Sequence, residues 1–108
     1  HDDFRLNKNF KILQEINSLD EDFLRQSIEN EKNKGLKNVE RLLFTSEMSK
    51  SSLEIQKKYF TLAEELYKQG RSSIRELYAA QNLLEEAQIN YYSARLSYIL
   101  NVLHIYNF

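Results

Sequence analysis

Apolar side chains recur along the first part of the chain at intervals of three and four: Leu6, Phe10, Leu13 and Ile16, then Phe23, Leu24 and Ile28, then Leu36, Val39, Leu42 and Leu43. The series continues through Leu53, Tyr59, Phe60, Leu62 and Leu66. This spacing returns a side chain to one face of an α-helix, and it does not fit the alternation of a half-buried strand. It predicts a helix over about 4–68. Opposite charges one turn apart support it (Glu21 with Arg25, Glu54 with Lys58, Glu64 with Lys68), each pair contributing a few tenths of a kcal/mol.

The clearest punctuation is Gln69-Gly70-Arg71-Ser72-Ser73-Ile74-Arg75-Glu76. Gly70 suits the left-handed residue just past a helix end, where a β-carbon would clash. Ser73 and Glu76 have capping-box spacing, with serine as N-cap and glutamate three residues on. A helix stop followed directly by a helix start leaves room only for a tight turn over 69–73, so the two helices fold back on each other.

A second helix is predicted over about 74–106. Leu77, Ala80, Leu84, Ala87, Tyr91, Ala94, Tyr98, Val102 and Ile105 step mostly by alternating threes and fours, the seam of a coiled coil. Small residues at Ala80, Ala87 and Ala94 let a neighbouring helix come close. Leu83, Leu96, Leu100 and Leu103 form a second apolar strip, which implies neighbours on two sides, as in a ring of helices. The stretch Leu96–Phe108 is apolar nearly all round, as expected of a helix buried in a larger assembly.

One alternative is open at this level. Gly35 is a possible C-cap, and a stop there gives three helices, roughly 4–33, 37–69 and 73–106, in a compact bundle. Against it, the 33–38 segment has no proline and no Ser, Thr or Asp cap beside an apolar run, and a lone glycine inside a helix costs only about 1 kcal/mol. A weaker break is possible near Ser51, which stands in capping-box spacing to Glu54.

Composition narrows the function. The 108 residues suit one small domain, and the absence of proline, with glycine only at 35 and 70, favours long helices over a sheet and its many turns. A net charge of −1 with no conspicuously basic face argues against nucleic acid as a partner. The chain has no cysteine, so disulfide and thiol chemistry are excluded. His1 is terminal and His104 stands alone, no His/Cys/carboxylate cluster has metal-ligand spacing, and the serines have no accompanying base. There is no phosphate-binding glycine loop, and acidic pairs such as Asp20-Glu21 and Glu85-Glu86 read as solvated helix faces. The expectation is a protein that is not an enzyme and carries no cofactor or metal.

The segment from Tyr59 to Leu103 carries a joint spacing that is more specific than any one of its residues. Tyr67 stands three residues before Gly70, Ser73-Ile74 follow at a hydroxyl-rich tip, and Leu77, Ala80, Gln81, Leu84, Ala87, Tyr91, Ala94 and Tyr98 complete the pattern. This pattern resembles the repeat of TolC-like outer-membrane efflux proteins; residues 1–58 match it only in length and heptad character. The resemblance implies an all-α fold: a long antiparallel, coiled-coil-like hairpin, part of a trimeric helical barrel. It corresponds to the family's second repeat, with a descending helix over about 4–68, a tip turn at 69–73 and an ascending helix over about 74–106. A helix of about 65 residues is about 100 Å long at 1.5 Å per residue.

Function follows from the same resemblance. In the family, three protomers form a channel, with a β-barrel in the outer membrane of Gram-negative cells and a helical tunnel in the periplasm. The hairpin tips dock a periplasmic adaptor, which links the channel to an inner-membrane pump. Tyr67, Gly70, Arg71, Ser72, Ser73 and Ile74 fall at that tip, and Glu76 falls where some members place an acidic residue in the closed pore. Each also has a plainer role, the tip residues as a tight turn and Glu76 as a partner in the capping box. Ala79 stands where a second acid is sometimes found, and Ser72 where an arginine can hold the gate closed; Arg71 and Arg75 are nearby. The competing expectations are a structural bundle or coiled-coil interaction module of other origin, and the adaptor's own periplasmic hairpin.

Overall fold

A computed structural model describes residues 2–107. It contains two helices, α1 (Asp2–Lys68) and α2 (Ile74–Tyr106), and no strand among the described residues. The fold is all-α, with a helical hairpin built on the turn at 69–73. The three-helix alternative is not adopted. Gly35 and Ser51 both lie inside α1, and Gly70 is the only glycine with a positive φ among the described residues. The physical reason lies in the flanks: a glycine ends a helix when the next residues can take up the freed carbonyls or start a new helix, and Asn33–Asn38 offers neither.

The chain divides into two units after Gly35. Within the first, residues 2–35 form helix with no intra-unit partner, and all are exposed except the half-buried Ser27 and Gly35. Phe4, Leu6, Phe10, Leu13, Ile16, Phe23 and Ile28 are therefore all exposed. Helicity here rests on the absence of breakers and on local side-chain pairs such as Lys34–Glu31, whose charged atoms lie 3.8 Å apart.

The second unit, Leu36–Phe108, contains the hairpin. Covered positions on α1 include Val39, Leu42, Ser46, Ser49, Leu53, Gln56, Phe60 and Ala63, a strict alternation of three and four, with Asn38, Glu64 and Leu66 half-buried beside them. On α2 the corresponding series is Leu77, Ala80, Leu84, Ala87, Tyr91, Ala94, Tyr98, Asn101 and Ile105, with Gln88 half-buried beside it. Two heptad seams therefore face each other, the arrangement that keeps both apolar stripes in register along a supercoil. The buried core is small: Leu42, Leu53, Ala63, Ala80 and Ala87, with Ser46 beside them. Ala80 has no exposed surface at all and is the most fully covered residue of the core.

Two sequence expectations change here. The seam position near the end of α2 is Asn101, half-buried, and Val102 is exposed. Strict heptad stepping from Tyr98 lands on 101, so the seam takes the amide although the neighbouring valine is more apolar. Of the anticipated ion pairs none forms as written. Glu54 pairs with Lys57 at 3.6 Å, one turn away at three residues, leaving Lys58 outside the contact. Both ion pairs are well exposed, so each contributes at most a few tenths of a kcal/mol. Thr45 and Thr61 keep their place in α1 by donating their hydroxyls to the carbonyls of Arg41 and Lys57, each at 3.0 Å.

Candidate functional site

The tip is built from two end-caps back to back. At the end of α1, the Arg71 N–H donates to the Leu66 carbonyl at 2.8 Å and the Gly70 N–H to the Tyr67 carbonyl at 3.0 Å. These are the paired six-to-one and five-to-two bonds of a Schellman ending, which satisfy carbonyls that an abrupt helix end would orphan. The motif requires a left-handed residue, and Gly70 supplies it with φ +71°. At the start of α2, Ser73 is extended (φ −82°, ψ 158°), and its Oγ accepts from the Glu76 N–H at 3.2 Å. The capping box closes only in this half: among the described residues, the Glu76 carboxylate makes no hydrogen bond back to Ser73. The carboxylate stays free to point elsewhere, while its charge still suits the positive end of the α2 dipole.

Side chains at the turn fall into two groups. Tyr67, Arg71, Ser73, Ile74, Arg75 and Glu76 are exposed, and Gly70 adds bare backbone among them. Among the described residues, Arg71, Arg75 and Glu76 take part in no ion pair. Ser72 differs: it is half-buried, and its Oγ is out of contact with solvent and without a hydrogen-bond partner. It lines a cavity of about 80 Å³ with Tyr59, Leu62, Ala63, Leu66 and Glu76. The turn thus brings together the seven residues that the sequence singles out, Tyr67, Gly70, Arg71, Ser72, Ser73, Ile74 and Glu76, at one end of the second unit.

Away from the tip, a larger cleft of about 180 Å³ opens between Ser52, Gln56, Leu83, Glu86, Ala87 and Asn90. The Gln56 Oε1 is buried there without a partner. Polar seam residues of this kind, together with Asn38 and Asn101, were not found from the apolar pattern. Extrapolating the strict heptad through polar positions locates Gln56 and Asn101, whereas Asn38 lies beside the α1 seam, next to Val39. No three His, Cys, Asp or Glu side chains cluster as a metal site among the described residues, and His1 lies outside these. No described helix is long and apolar enough to cross a membrane.

The outer face of α2 carries a second heptad stripe: Ile89, Tyr92, Leu96, Ile99, Leu103 and Tyr106, all exposed and again stepping by three and four. It lies nearly opposite the stripe that faces α1. Of the strip expected from the sequence, Leu83, Leu96, Leu100 and Leu103, all are exposed, but only Leu96 and Leu103 belong to this stripe. No family model, curated protein or solved structure matches the chain.

Proposed function

We propose that this chain is a tunnel segment of a trimeric outer-membrane channel for efflux or secretion, similar to the TolC-like proteins, and that it works as a conduit and not as an enzyme. The observation that carries the reading is the coincidence of two features at one end of the hairpin. The Tyr67-x-x-Gly70 ending forms a closed turn, and the Leu77, Ala80, Leu84, Ala87, Tyr91, Ala94, Tyr98 series begins directly behind it and faces the partner helix. That combination presents a rigid, narrow tip with exposed aromatic, cationic and aliphatic side chains. Such a tip suits docking of a periplasmic adaptor, itself coupled to an inner-membrane pump. The exposed second stripe of α2 supports the reading as well, because helices of a ring need neighbours on two sides. In this proposal the segment lies in the periplasm of a Gram-negative cell, and the three Glu76 carboxylates of a trimer ring the closed end of the pore. They would repel one another and draw in cations.

The test is export from cells carrying the intact channel, with channel abundance in the outer membrane measured in parallel. Gly70→Val distorts the turn, and Arg71→Glu reverses a charge at the contact without touching the turn's backbone bonds. Both are expected to reduce export and adaptor cross-linking at normal channel abundance. Full export with both substitutions at normal abundance would refute docking through the tip. Failure to find the chain in the outer-membrane fraction at all would refute the channel itself, and would favour a helical interaction module.

A further inference from the structure

Among the described residues, a single hydrogen bond joins side chains of α1 and α2: Asn38 Nδ2 donates to Asn101 Oδ1 at 2.9 Å. It is embedded in a chain of bonds. Arg41 Nη2 donates to Asn38 Oδ1 at 2.8 Å, and Asn101 Nδ2 donates to the Ser97 carbonyl at 2.8 Å. Both amides are half-buried. Asn101 occupies a seam site of α2, where the other sites carry Leu, Ala, Tyr or Ile. A polar group in such a seam gives up hydrophobic stabilisation, and what it gains is discrimination, because only one alignment satisfies it.

The rest of the α2 seam discriminates poorly. Leu77-Ala80, Leu84-Ala87 and Tyr91-Ala94 repeat large-then-small every heptad. Sliding α2 by seven residues, about 10 Å, therefore puts large on large and small on small. On the α1 side, Ser46, Ser49 and Gln56 make no hydrogen bond to α2, and the Gln56 Oε1 has no partner in the native alignment either. The slide does matter at one place. It brings Ala94 to the level of Asn101 and leaves Asn38 facing a methyl group. The short link at 69–73 resists sliding within one chain, but it offers no resistance when α2 of one copy pairs with α1 of another, the exchange by which identical elements swap between protomers.

We infer that the Asn38–Asn101 pair is the register determinant of the hairpin, holding α2 on α1 in one alignment against slipped pairings, within a chain or between copies. An unpaired, partly buried amide disfavours each wrong pairing on the order of tenfold.

The inference is tested in the 108-residue chain, which has no cysteine, so that introduced thiols are the only ones. Spin labels are attached at Lys58→Cys and Glu85→Cys, both exposed sites, and pulsed dipolar spectroscopy measures the distance between them. A mixture of singly labelled chains reports close pairs between copies. The parent is expected to show one narrow intramolecular distance and no close pair between chains. Asn38→Leu/Asn101→Leu is expected to melt no lower than the parent, yet to populate a second distance, within a chain or between chains, at least tenfold more. Asn101→Ala, which cannot overpack the seam, is expected to show the same change and decides the matter if the leucine variant loses its helical signal. A parent that already shows the second distance, or variants that keep the single distance, would overturn the inference.

Discussion

Replacing Gly70 by alanine isolates what the turn demands of the backbone. At φ +71° an L-residue sits in the left-handed region, which costs roughly 1–2 kcal/mol. A β-carbon placed there meets no atom within 4 Å, so no packing clash adds to the conformational term. Working the other way, alanine restricts the unfolded chain and returns about 0.4–1 kcal/mol. The net expectation is a loss of about 1 kcal/mol, roughly a fivefold change in the folding equilibrium constant. Urea unfolding followed by circular dichroism reads this as a lower midpoint with an unchanged slope, because the surface exposed on unfolding is the same. Gly70→Asn serves as the control: asparagine tolerates the left-handed region better than other side chains, so it should recover part of the loss. A neutral or stabilising Gly70→Ala, or an asparagine variant no better than alanine, would show that the turn relaxes to another geometry and that the Schellman ending is not what closes the hairpin.

Three further outcomes follow from the same geometry. Ser73→Ala removes the oxygen that accepts the Glu76 N–H and should cost about 1 kcal/mol in the same unfolding assay; no loss would mean that water caps α2 equally well. Ala80→Leu forces a large side chain where no surface is exposed and should cost about 1–3 kcal/mol, whereas Ala79→Leu, one residue earlier and exposed, should stay within about 0.5 kcal/mol; equal effects at the two sites would contradict the close approach of the helices. Glu76→Gln removes no capping bond but does remove a charge from the positive end of α2, and should cost at most about 0.3–1 kcal/mol; on the proposed channel reading it should also lower cation selectivity in planar bilayers, and unchanged selectivity would restrict Glu76 to the helix end.

The helix ends were readable because each is written in local chemistry. The single glycine with a left-handed φ and the single serine cap stand three residues apart, and their backbone requirements do not depend on distant partners. The same locality explains why Gly35 was ambiguous: a glycine can end a helix, but whether it does so depends on flanking donors, and here none compete. The seam of α1 was far less legible. Between Leu43 and Leu53 its inward positions are Ser46 and Ser49, and farther on Gln56, so apolar periodicity falls silent where the packing continues. Val102 and Asn101 show the same in miniature: the more apolar residue is exposed, and the seam follows its unbroken period to the amide. At the tip, the turn residues came together as the sequence implied, but the half-buried state of Ser72 and the open half of the capping box depend on side-chain placement that spacing does not encode.

The turn at Gly70–Ser73 also sets an order of assembly. Closing a loop of a few residues costs little entropy, whereas bringing Asn38 to Asn101 directly would mean closing a loop of 63. Once the tip has formed, each successive seam layer adds only a short increment of chain, so the hairpin is expected to close like a zipper from the turn outward. Contacts near the tip then belong to the nucleus and those near Asn101 form last. The Ser73→Ala chain should accordingly refold more slowly in stopped-flow measurements, with its unfolding rate little altered.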